Sequence, residues 1–180
     1  TEPATGKRGD DLAARDRRLA DLARRIGLFI QDWDEYELAV IEGPVRALGG
    51  STWDRAGSWW LTVQMLDPNR TAVVSPTTVK KWAAGKGNAD KGAVSGAVTR
   101  LWPEFECGSD NESDALALAS MGAQRLGIAK FLKRSYHSDA LLKVEWPAFI
   151  RERDEREMER RQELAGDALD RYEEEGVDRA

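Results

Sequence analysis

The chain has 180 residues, 41% hydrophobic and 33% charged, with a formal net charge of −5. That is apolar enough for one core and too charged for a membrane protein, and no apolar run approaches the roughly 20 residues of a spanning helix. A single cysteine, Cys107, and a single histidine, His137, exclude an internal disulfide, a multi-cysteine zinc site and a histidine-rich metal site. Any metal would have to be held by carboxylates, which favour magnesium or manganese. No signal-peptide pattern opens the chain, and the cysteine usage fits a reducing compartment, so the expected location is the cytoplasm of a bacterial or phage-infected cell.

Residues 1–9, with Pro3, Gly6 and Gly9, read as a flexible lead-in. Asp10 or Asp11 can cap a helix in which Leu12, Leu19, Leu22, Ile26 and Ile30 recur at helical spacing. Trp33 to Glu37 reads as a turn. Leu38 to Ile41 is a continuous apolar run, as in a parallel strand buried on both faces, and it ends at Glu42 before Gly43-Pro44. After a loop at 49–51, Trp53 to Leu66 reads as a helix capped by Ser51 or Thr52 and stopped by Asp67-Pro68-Asn69. Thr71 to Val74 is a second short strand. Pro76 and Thr77 open a short helix, Gly85 to Asn88 form a mobile basic loop, and residues 90–101 and 110–127 form two further helices. In the latter, Ala115, Leu116, Leu118, Ala119 and Met121 mark the apolar side. Ser138 can cap another short helix. From Arg151 the tail is charge-dense, with opposite charges four apart such as Glu152/Arg156 and Glu157/Arg161, as in a solvent-bathed helix. The expected division is a domain over 1–147 and an acidic helical tail over 148–180.

The acidic balance is local. Residues 151–180 hold 7 Lys/Arg and 12 Asp/Glu, whereas the body is neutral. Within that body, Pro76 to Arg100 carries five cations against Asp90 alone. A nucleic-acid partner depends on such a patch rather than on the total charge.

Three features can carry chemistry. Glu42 stands at the C-terminal end of an apolar strand, where α/β sheets place functional groups, although a surface glutamate at a strand–loop junction would look the same. Asp110 and Asp114 are four apart and share a helix face, as do Asn111 and Asp114. The plain alternative is that Ser109 or Asp110 caps the helix and Glu112 answers its dipole. Lys80, Lys81, Lys86 and Lys91 surround a glycine-rich loop that lacks P-loop spacing; they suit a phosphate backbone, or form an ordinary solvated cluster.

The strings LAVIE at 38–42, VKKWAAGKGNADKGAV at 79–94 and DNESDALALA at 110–119, in this order, resemble the RuvC-type Holliday-junction resolvases of the RNase H-like superfamily, especially phage-like members. The resemblance spans about residues 10 to 127. It implies a metal-dependent endodeoxyribonuclease acting on branched DNA, two magnesium ions (or manganese) and a homodimer formed through the helix at 53–66, where Trp53, Trp59 and Trp60 form either an apolar patch or core. By resemblance Glu42 and Asp114 are metal ligands. The remaining helix ligand falls at Asn111, or at Asp110 one residue back. Lys80 and Lys91 match lysines used near the DNA backbone. The family also has a leading three-strand meander whose first strand supplies an aspartate, and nothing upstream of residue 10 can be that strand. The expectation is thus an RNase H-like α/β fold lacking its N-terminal strands, with a charged C-terminal helix and impaired catalysis. Two other readings remain: a catalytically inactive DNA-binding or assembly module, and a terminase- or transposase-like nuclease of the same superfamily. No spacing supports a hydrolytic His137–Cys107 pair.

Overall fold

The computed structural model describes residues 10–32, 36–44, 52–129 and 134–177, with side chains to 166 in the last segment. The lead-in at 1–9, residues 33–35 of the expected turn at 33–37, the loop at 49–51 and the Ser51 cap lie outside these residues. The chain divides into two units, Thr1–Glu145 and Trp146–Ala180. Among the described residues no helix is long and apolar enough to cross a membrane.

In the first unit, α1 (Leu12–Gln31) is capped by Asp11, whose carboxylate accepts from the Ala14 N–H. It pairs with α2 (Thr52–Met65) through Asp54, which receives both Arg15 and Arg18. The sheet consists of β1 (Ala39–Glu42) and β2 (Thr71–Val74), parallel and in register from Ala39 opposite Thr71 to Glu42 opposite Val74. A helical turn at Pro68–Arg70, capped by Asp67, leads into β2. On its other edge β2 makes one antiparallel bridge, from Val73 to Glu145.

β1 is half-buried along its length rather than fully buried as its apolar run predicts. The reason lies in the sheet. Side chains alternate between faces, and in β2 Ala72 and Val74 are buried while Val73 is 43% exposed. In β2 the face carrying Ala72 and Val74 is covered, whereas β1, paired to one strand only among the described residues, is half-buried at every position.

Helix α3 (Pro76–Ala84) starts directly after β2 under a Ser75 cap and stops at Gly85, which takes a left-handed φ of 79°. The loop after it is not the mobile arm expected from its glycines. Gly85 lies under the Tyr136 ring, and a β-carbon on Gly87 would stand 2.6 Å from the Thr77 methyl. The loop therefore folds back along α3 to its first turn. Helix α4 (Lys91–Leu101) begins there under an Asp90 cap.

Helix α5 (Asp110–Arg125) is capped by Ser109. Its partners show that α4 and α5 run parallel: Lys91 meets Asp110, Ser95 meets Ser113, and the Trp102 indole donates to Ser120 Oγ at 2.6 Å. Residues 102–109 thus return the chain along both helices. The buried side of α5 is Ala117, Leu118, Met121 and Gln124, while Ala115 and Ala119 face solvent. The run of small residues spreads round the helix, and only the stripe repeating at three and four reaches the core.

Gly122 sets the approach of α5 to the sheet. A β-carbon there would stand 3.0 Å from Val40 Cγ2 and 3.6 Å from Leu38 Cδ2. Gly122→Leu should therefore destabilise the fold by about 1–3 kcal/mol through overpacking, despite leucine's better helix propensity. A lower urea midpoint with an unchanged slope would confirm it.

Helix α6 (Ser135–Leu141) starts at Arg134, not at Ser138. The Arg134 N–H donates to His137 Nδ1 at 3.2 Å, so the histidine supplies the start that Ser138 was expected to provide. The second unit carries α7 (Ala148–Val177), largely exposed over 151–166, with Arg156–Glu152 and Arg161–Glu157 pairs four apart.

Candidate metal and nucleic-acid site

The site is built at the C-terminal end of the sheet. Glu42 is the last residue of β1, and alternation turns its side chain to the same face as Val40, the face against which Gly122 of α5 rests. Counting back along α5 in steps of four leads from Gly122 through buried Leu118 to half-buried Asp114. The helix therefore runs antiparallel to β1, and its first turns lie at the level of Glu42. Asp114 is close enough to act on Glu42 electrostatically. The Glu42 carboxyl is raised above the usual glutamate range, first by burial and second by the Asp114 charge, while Lys80 opposes the shift. Three groups of the expected set, Glu42, Asp114 and Lys80, thus share one field.

The other residues are placed differently. Asp110, in the first turn of α5, is half-exposed and lies 3.2 Å from Lys91 Nζ. Its neighbour Asn111 is exposed. Lys81 stands 4.0 Å from Asp139 of α6. Lys86 is exposed, and its carbonyl accepts from the Ala89 N–H in the turn that closes the loop. The initial turns of α3, α4 and α5 all come to this end of the sheet. Lys91 meets Asp110 there, and Lys80 acts on Glu42.

Glu42 and Asp114 form a mutually repelling, part-desolvated carboxylate pair. A divalent cation relieves such repulsion, and magnesium binds through one or two carboxylates while keeping several waters. Two carboxylates are the most such an ion needs from a chain when water completes its shell. Among the described residues, no three of His, Cys, Asp and Glu come together as a metal-holding group.

One residue at the site escaped sequence reasoning. The Trp59 indole donates to the Glu42 carbonyl at 2.8 Å. Its neighbours on the same helix, Trp53 and Trp60, are 82% and 60% exposed. The signal was available: Trp53 and Trp60 are seven apart and share a face, whereas Trp59 is turned about 100° from Trp60. One sequence cannot say which of those faces points inward.

No protein-family model matches the sequence, and no curated protein matches it. Among solved structures, RuvC from Thermus thermophilus is similar over 71% of this chain and 79% of that one, with a TM-score of 0.51 and 19% identical residues. At that identity the likeness concerns architecture, and the fold of this chain is RuvC-like.

Proposed function

We propose that this chain is a phage-like resolvase-type nuclease, a metal-dependent endodeoxyribonuclease that cleaves Holliday junctions or other branched DNA. The observation that carries the reading is the Glu42–Asp114 carboxylate pair at the C-terminal end of a sheet with a RuvC-like fold. Glu42 and Asp114 would hold Mg2+, with Mn2+ as a substitute, and Asp110 and Asn111 would add ligands for a second ion from the first turn of α5. The bound ion supplies a Lewis acid for a phosphodiester and its attacking water. The chain's own groups do the rest. Lys80 stands beside the carboxylates and can neutralise the phosphate being cut. Lys91, Lys81 and Lys86 continue the positive charge along α4, α3 and their loop, where they would engage the flanking backbone. Such contacts read shape and charge rather than base sequence. The exposed Trp53 and Trp60 on α2 would be covered by a second copy of the chain, giving a homodimer for a two-fold substrate.

The pairing of Asp110 with Lys91 at 3.2 Å favours a second reading, a binding module that has lost catalysis. The deciding experiment incubates the chain with four-way junctions and with linear duplex of equal length, with and without Mg2+. Mg2+-dependent cleavage restricted to the junction supports the enzyme. Junction-selective binding without cleavage selects the module. Equal affinity for both DNAs overturns both readings.

A further inference from the structure

The peptide group that follows Glu42 is held from both sides. Its carbonyl, that of Glu42, accepts from the Trp59 indole at 2.8 Å, and its N–H, that of Gly43, donates to the Val74 carbonyl at 2.7 Å. The two bonds come from different elements, α2 on one edge of β1 and β2 on the other. The alternation of a parallel ladder requires this: with Gly43 turned to β2, the carbonyl of Glu42 points to the opposite edge, where the sheet offers no partner among the described residues. Trp59 supplies the bond that a neighbouring strand would otherwise make.

That clamp lies at the weakest point of β1. Gly43 has the most permissive backbone of any residue, and the residue that the register brings to its carbonyl is Pro76, which has no N–H with which to extend the ladder. Without the indole, the end of the strand would be tied to β2 alone. The Glu42 carboxylate would then swing relative to Asp114 on α5. A metal ligand has to be held to within about 0.5 Å to be useful, and the groups that orient ligands commonly matter nearly as much as the ligands.

We infer that Trp59 is a positioning residue for the metal site: its indole N–H fixes the Glu42 backbone so that the carboxylates of Glu42 and Asp114 meet one divalent cation. This rests on the reading of Glu42 as a metal ligand under the proposed function.

The test is Mn2+ affinity, measured on the whole chain without DNA by paramagnetic resonance of the free ion. Trp59→Phe keeps an aromatic ring and removes the N–H. It should weaken Mn2+ binding about tenfold. Trp102→Phe is the matched control, since it also loses one indole hydrogen bond, to Ser120, but at the far end of α4. It should leave Mn2+ affinity unchanged. Glu42→Gln separates this inference from the reading beneath it. If Glu42→Gln binds Mn2+ as well as the unmodified chain, the assignment of the metal site itself fails. If Glu42→Gln loses the ion while folded Trp59→Phe keeps full affinity, Trp59 is only a structural anchor and the inference is overturned, whatever the melting temperature. Should Trp59→Phe not fold, the unmodified chain still decides. On titration with Mg2+ the Trp59 indole proton resonance should move with the midpoint of the Glu42 carboxyl carbon, and an indole signal that stays still overturns the proposal.

Discussion

Glu42→Gln or Asp114→Asn should lower Mg2+-dependent junction cleavage by orders of magnitude while changing junction affinity less than about threefold. The first part follows from the role proposed for the pair: removing one anionic ligand from a metal-dependent phosphodiesterase removes much of the charge stabilisation of the transition state. The second follows from the layout, because Lys80, Lys81, Lys86 and Lys91 remain. Cleavage by either variant at the unmodified rate would exclude these carboxylates from catalysis. The same substitution has an opposite effect on stability, and its sign follows from the raised carboxyl of Glu42. A group whose folded pKa lies above its unfolded value, about 4.3 for glutamate, adds stability below that value. The contribution is lost as pH rises through the folded pKa. At neutral pH, burial and Asp114 make the ionised Glu42 a cost, so Glu42→Gln should melt higher than the unmodified chain. Mg2+ should raise the melting temperature of the unmodified chain and not that of Glu42→Gln. A variant that loses activity and gains stability is the signature of a site held under electrostatic strain.

Trp82→Ala should remove a large part of the stability of the first unit, about 3–5 kcal/mol from a domain that typically holds 5–15. Trp82 is fully buried, its indole donates to Gln124 Oε1 at 2.8 Å, and its ring stacks on His137 at 4.7 Å between centroids. Truncation opens a large cavity and also strands the buried Gln124 amide. Trp82→Phe should lose less, since the cavity is smaller. Urea unfolding followed by far-ultraviolet circular dichroism would rank the three proteins, and an alanine variant within 1 kcal/mol of the unmodified chain would refute the packing account. The same cluster predicts acid sensitivity. Burial, with Arg134 adding to it, holds the His137 imidazole below the ordinary histidine range. Its stabilising contribution is complete above the unfolded value of about 6.5 and fades as pH falls through the folded one, because the charged ring can no longer accept the Arg134 N–H. His137→Phe should flatten that part of the stability profile.

The elements that could be read from the sequence were those whose signals are local. Asp11 and Ser109 cap their helices through one side chain and one nearby N–H, and short apolar runs ending in Glu42 and Val74 mark the strands. What escaped depends on contacts distant in sequence. The run at Leu38 to Ile41 says that a strand is apolar but not how many faces the rest of the chain can cover. Gly85 and Gly87 suggest freedom, yet one is pressed by Tyr136 and the other by Thr77, residues whose position only the fold decides. His137 displaced Ser138 as the determinant of α6 because an imidazole three residues in can accept from the first N–H. In the site, the spacing of Asp110 and Asp114 correctly implies one helical face. It could not reveal that α4 runs beside α5 and places Lys91 against Asp110. Trp59 was visible as an aromatic residue, while its partnership with a main-chain carbonyl was not.

The parallel course of α4 and α5 has an electrical consequence. Aligned helices set like poles side by side, and each N-terminus carries roughly half a positive charge. Antiparallel neighbours would cancel these fields. Here they add, at the end where Lys80 and Lys91 also stand, and α3 contributes a third pole. Asp90, Asp110 and Glu112 answer this potential at the helix starts. The helix fields themselves are fixed by the backbone, so no side-chain motion can switch them off. In a chain with a sequence pI of about 5.1, these aligned helix starts set backbone donors and lysines beside the acids of one end. If the chain binds DNA as proposed, that association should weaken as salt rises.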